Sequence, residues 1–112
     1  MAAFQNMKPA FLCGESLQQL ETLAAQWGWT RINRGWGWRT RSGAEVCHTR
    51  GREQLRGYRD AVLLVAPFED ASAYHAGRID EIIVAAREQG FDIRQAGQDA
   101  GDPLERASGS VK

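Results

Sequence analysis

Ala61-Val62-Leu63-Leu64-Val65 is the stretch on which the fold turns. Five apolar residues in a row, without polar alternation, require burial on both faces, the pattern of a central strand in a sheet covered by helices. Pro67 ends the run, and Glu69 and Asp70 make an acidic loop. A helix is predicted to begin near Ser72, because Ile79, Ile82, Ile83 and Ala86 follow the i, i+3, i+4, i+7 spacing of one buried face. Gly90 closes it. Phe91 and Ile93 then alternate with Asp92 and Arg94, as in an edge strand.

Upstream, Ala10 to Cys13 is a short apolar run ended by Gly14 and reads as a buried strand. Ser16 and Gln19 have the S-x-x-Q spacing of a capping box, which satisfies free backbone donors in a first helical turn. Leu17, Leu20, Leu23, Ala24 and Trp27 recur at helical spacing, with Gly28 as the stop. From Trp29 to His48 the period shifts toward two. Trp36 and Trp38 alternate with Gly37 and Arg39, Arg41, Ser42 and Gly43 supply a turn, and Ala44 to His48 returns as a strand, so a β-hairpin is predicted here. Arg50 to Arg59 is read as a short helix with Leu55 and Tyr58 on its apolar edge. Beyond Gln95 apolar periodicity ceases while Gly, Pro and Ser accumulate. The expected organisation is a single α/β domain over 1–95 and a disordered tail over 96–112.

Strands alternating with helices imply an α/β layered fold with a mostly parallel sheet and helices on both faces. The fold class expected is a small three-layer Rossmann-like sheet with a central β-hairpin. Gln54 to Tyr58 (QLRGY), followed by Arg59, Asp60 and the apolar strand at Ala61, resembles a pattern in small bacteriophage-encoded proteins of unknown function. Those proteins are similar to P-loop nucleotide-binding folds without the phosphate-binding loop. Phe11 to Gly14 matches their opening strand, Trp38 to His48 the middle strand region and Ile79 to Gly90 the last helix, over about residues 10–95. The resemblance implies a phage or mobile-element origin and brings no catalytic residues with it.

With 112 residues and 43% hydrophobic composition, a single core buries roughly 60 to 68% of the surface of the unfolded chain, so folding requires neither metal nor disulfide. Lys8 and Pro9 interrupt the amino-terminal segment, so no signal peptide is expected there. No run approaches the roughly 20 apolar residues of a membrane span. Two cysteines, Cys13 and Cys47, suit a reducing compartment, and the expected location is the cytoplasm, that of a host cell if the chain is phage-encoded.

Familiar catalytic constellations are missing. A Walker A loop needs a lysine after a glycine-rich turn, and the only lysines are Lys8 and Lys112. The dinucleotide fingerprint fails because Thr40 stands where the third glycine should follow Gly35 and Gly37. No C-x2-4-C pair offers a zinc site among Cys13, Cys47, His48 and His75. Cys47 and His48 are neighbours on a strand and point to opposite faces, so they cannot act as nucleophile and base together. Asp80 and Glu81 fall on the polar side of a helix, and Glu69 and Asp70 suit a helix N-terminus. The turn Cys13 to Ser16 remains as a weak anion site at a strand end, opposed by Glu15. No catalytic residue, metal or cofactor is assigned.

The formal charge is zero, yet residues 27–59 carry eight arginines against Glu45 and Glu53, a net +6. Within 27–41 (WGWTRINRGWGWRTR) lie four tryptophans and four arginines. Indole faces can stack bases while guanidinium groups contact phosphates, and Trp and Arg are equally the residues of protein-binding hot spots. The alternative is packing, with Trp27 and Trp29 closing the core and Trp36 and Trp38 filling one hairpin face while arginines cover the other. The function expected is therefore non-enzymatic binding of nucleic acid or a nucleoprotein complex. The candidate partner-binding residues are Trp29, Arg31, Arg34, Trp36, Trp38, Arg39, Arg41, Arg50, Arg52 and Arg56. One rival is a phage-encoded inhibitor binding an acidic surface of a host enzyme or immune complex, and another is a small-molecule or nucleotide-handling enzyme using the strand-end turn.

Overall fold

In a computed structural model, which describes residues 9–32, 37–69, 71–97 and 101–104, the apolar run folds as expected. It forms β5 (Val62–Val65), buried along its whole length. The elements before it are β1 (Ala10–Cys13), α1 (Leu17–Trp27), β2 (Thr30–Arg31), β3 (Gly37–Arg39), β4 (Glu45–His48) and a 3-10 turn (Arg52–Leu55). After it come α2 (Ala73–Glu88) and β6 (Asp92–Gln95).

Among the described residues, one mixed sheet holds six strands in the order β2-β3-β4-β1-β5-β6. β4, β1, β5 and β6 run parallel, whereas β2, β3 and β4 are joined antiparallel. The expectation of a mostly parallel sheet is thereby replaced by a mixed one. The predicted hairpin is β3–β4, and it builds the β2 side of the sheet instead of its centre; β4 alone meets the parallel strands. Its turn is closed by Thr40, whose hydroxyl accepts from the Ala44 amide at 3.1 Å. A Cβ at Gly37 would collide with the Val46 carbonyl, so a glycine between the tryptophans lets the two strands close.

Strand alternation sends successive side chains to opposite faces. Leu12 and Leu64 pack with Leu20, Leu23 and Trp27 of α1, while Phe11, Leu63 and Val65 pack with Ile79, Ile82 and Ala86 of α2. Each helix therefore covers its own face. Full burial of a leucine or isoleucine contributes roughly 1.5–3 kcal/mol, and these two clusters supply most of the driving force.

Both helix starts sit where the sequence placed them. Ser16 caps α1 by accepting from the Gln19 amide, and Ser72 caps α2 by accepting from the His75 amide. Gly28 ends α1 at φ +82°, a left-handed conformation that glycine adopts without strain. The helix read over 50–59 shrinks to the 3-10 turn, because Arg56 turns extended at ψ 133° and Gly57 follows at φ +88°. Within the stretch expected as a tail, Ala96 donates to the Val65 carbonyl, and Leu104 packs on the α1-side core. Asp70 of the acidic loop, and residues 98–100 and 105–112 of the tail, lie outside the described residues. No helix among the described residues is long and apolar enough to cross a membrane.

Candidate functional site

β1 and β4 are parallel neighbours, but the chain leaves them toward opposite faces. β1 feeds α1 on one face, whereas β4 leads to the 3-10 turn, whose Leu55 belongs to the α2-side core. Adjacent parallel strands whose connections diverge open a crevice beyond their carboxyl ends, the usual ligand position in open α/β sheets. A cleft of about 830 Å³ occupies that place.

One wall is the β1 exit, Gly14 to Leu17. The Gln19 side chain holds this turn by accepting from the Glu15 amide at 3.0 Å and donating to the Pro67 carbonyl at 2.7 Å. The reciprocal arm of the expected capping box has thus shifted by one residue, from Ser16 to Glu15. The first turn of α1 contains no acidic residue, so its free amides present positive potential to the cleft.

The opposite wall is the β4 exit, with His48, Arg50, Gly51 and Gln54. Gln54 braces it: its amide oxygen accepts from the Arg50 and Gly51 amides, and its nitrogen donates to the His48 carbonyl at 2.9 Å. α2 closes the third side with Tyr74, His75 and Arg78. The Arg78 guanidinium joins both walls, donating to the Gly14 carbonyl at 3.2 Å and the Arg50 carbonyl at 3.1 Å. It also lies 3.4 Å from His75 Nδ1.

Arg78 spends its hydrogen bonds on neutral carbonyls, and no carboxylate among the described residues forms an ion pair with it. Its charge therefore remains as field in the cleft. His48 registers that field. Burial, then the positive charges of Arg50, Arg78 and Arg31, push its imidazole down to about 4, so it is neutral at pH 7. Glu15 and Glu53 also line the cleft and offset part of this positive charge.

Among the described residues, the expected partner-binding residues are divided between the core and the surface. Trp29 and Trp38 are 6% and 2% exposed and belong to the α1-side core, which removes them from the recognition surface. The apolar side of the hairpin has to be filled, and the Trp38 indole fills it, while Trp29 packs beside Trp27. Trp29 Nε1 is satisfied internally by the Asp102 carboxylate at 2.7 Å. Arg31 is ion-paired with Glu21, and Arg39 with Glu45 at 3.0 Å on the solvent side. Arg41 lies beside Gly28. Arg50 reaches the cleft, Arg52 borders a neighbouring hollow, and Arg56 is exposed. Arg34 and Trp36 lie outside the described residues.

Of the thiols, Cys13 is buried behind the cleft and raised to about 12 by burial, with Arg78 acting in the opposite direction. Cys47 is exposed and His48 buried, on opposite faces of β4 as strand alternation requires. Among the described residues no group of three His, Cys, Asp or Glu side chains is placed to hold a metal ion. Arg78 and Tyr74 carry no sequence signal of a site, because on a helix they look like ordinary polar positions; His75 and Gln54 are visible only as a metal or thiol candidate and as part of the QLRGY pattern. No family model matches the chain, and neither a curated protein nor a solved structure matches it.

Proposed function

We propose that this is a binding protein for a phosphate-bearing ligand, held in the cleft at the ends of β1 and β4. The observation that carries the reading is the pair Arg50 and Arg78 on a cleft that also receives the N-terminus of α1. Two guanidinium groups and free backbone amides are the donors phosphate recognition uses. The phage origin and Rossmann-like kinship implied by Gln54 to Tyr58 and the strand at Ala61 are kept as part of this proposal.

Calorimetric titration with pyrophosphate at low ionic strength tests it. Binding is expected to weaken about tenfold in Arg50→Gln, the loss of one charge-assisted contact. An absence of heat with the intact protein overturns the reading.

Nucleic acid remains the second reading, favoured by the exposure of Arg50, Arg52, Arg56 and Arg59 along one segment. Without Trp29 and Trp38, binding would depend on phosphate contacts. A mobility-shift titration with single-stranded and duplex DNA and RNA should then show steep salt dependence, and Arg52→Glu with Arg56→Glu should abolish the shift.

A further inference from the structure

The strand-end cleft does not stop at α2. A second hollow of about 490 Å³ adjoins it and shares Arg50, Glu53, Tyr74 and Arg78 with the first, then continues past Gly77 to Glu81. Tyr74 stands at the junction. It is 75% exposed, and its ring neighbour among the described residues, His75, meets it in a T-shaped contact at 5.2 Å without stacking. Gly77 follows one turn later on the same side of α2. Nothing lies within 4 Å of the position a Cβ would take there. A glycine inside a helix costs about 0.5–1 kcal/mol relative to alanine, and no close packing requires this one. The result is an exposed aromatic ring beside a bare patch of helix, at the edge of an arginine-lined cleft.

We propose that the ligand is a nucleoside monophosphate, with its phosphate at Arg50 and Arg78 and its base lying on Tyr74 over Gly77. This rests on the phosphate-binding reading above and names the second half of the ligand. A flat, uncharged ring system is the group that an exposed tyrosine beside bare backbone can hold. Glu53 and Glu81 border the second hollow, and their carboxylates can accept hydrogen bonds from ribose hydroxyls or an exocyclic amine. A mononucleotide spans the two hollows; neither alone uses both the arginines and the open face of α2.

The experiment compares adenosine 5′-monophosphate with ribose 5-phosphate by calorimetry on the whole chain, in wild type, Tyr74→Ala, Tyr74→Phe and Gly77→Leu. The nucleotide is expected to bind about tenfold more tightly than the sugar phosphate. Tyr74→Ala should erase that difference and Tyr74→Phe should keep it. Gly77→Leu should raise the melting temperature, because leucine is the better helix former, while lowering nucleotide affinity and sparing the sugar phosphate. Equal affinities for the two ligands in wild type overturn the nucleotide assignment and leave phosphate binding intact. Affinity that grows with oligonucleotide length, measured in parallel, also overturns it in favour of a nucleic-acid strand. Failure of both small ligands to bind removes the phosphate reading and this inference with it.

Discussion

Arg78 on α2 donates to the backbone carbonyl of Gly14, 64 residues earlier in the chain, at 3.2 Å. The same guanidinium reaches the Arg50 carbonyl at 3.1 Å, so one side chain sets the width of the cleft between the β1 and β4 exits. Arginine's planar fork can make both contacts at once; lysine's single ammonium cannot hold that geometry.

Arg78→Met should therefore destabilise the fold by about 2 kcal/mol, through the loss of two charged hydrogen bonds in a half-buried setting. Arg78→Lys should recover little of this loss. Urea midpoints at constant m-value report the difference. A midpoint for Arg78→Met equal to that of wild type would show that the two exits hold their spacing without the bridge.

Neighbouring positions on β3 should respond in opposite ways. Trp38 is buried in the α1-side core, and Trp38→Ala is expected to lose about 3–5 kcal/mol. Arg39 is exposed and paired with exposed Glu45, so Arg39→Ala should stay within about 1 kcal/mol of wild type. Thermal unfolding of the two variants separates packing from recognition. Wild-type stability in Trp38→Ala would return that tryptophan to the surface.

Stability should fall on mild acidification. The His48 imidazole, ordinarily near 6.5, is held at about 4 in the fold, so between those values the unfolded chain binds the proton and the native state does not. Stability from this group is complete above pH 6.5, declines as pH drops toward 4, and levels off below. His48→Asn should flatten that part of the stability–pH curve. An NMR titration of His48 with a midpoint near 6.5 would contradict the assignment.

The two thiols should be distinguishable. Cys47 is exposed, although burial of part of the side chain and then Glu45 raise its pKa, so it should react slowly with a disulfide reagent at neutral pH. Cys13, buried and raised to about 12, should react only on unfolding. A count of one thiol in native buffer and two in denaturant is expected; Cys47→Ser should bring the native count to zero.

Much of the architecture is legible along the chain. The uninterrupted apolar run at Val62–Val65, the helical spacing of Leu20, Leu23 and Ala24, and the serine caps at Ser16 and Ser72 are local signals, and each produces its element. The turn Gly14 to Ser16 is also visible as a strand end leading into a helix. Depth is not visible in the same way. Trp29 and Trp38 carry the composition of a recognition surface, and it takes the packing of the sheet on α1 to point them inward.

Short-range patterns in the chain account for the alternation of strands and helices, the two apolar helix faces and the basic middle segment, because periodicity and caps act between residues a few positions apart. Long-range packing is what makes the sheet mixed, sets β4 against β1, and brings Gly14, Arg50 and Arg78 around one cleft. Those relations depend on which strand edges pair and which face each crossover takes. Burying two clusters of side chains at once selects among the possibilities, and no short window of sequence contains both clusters.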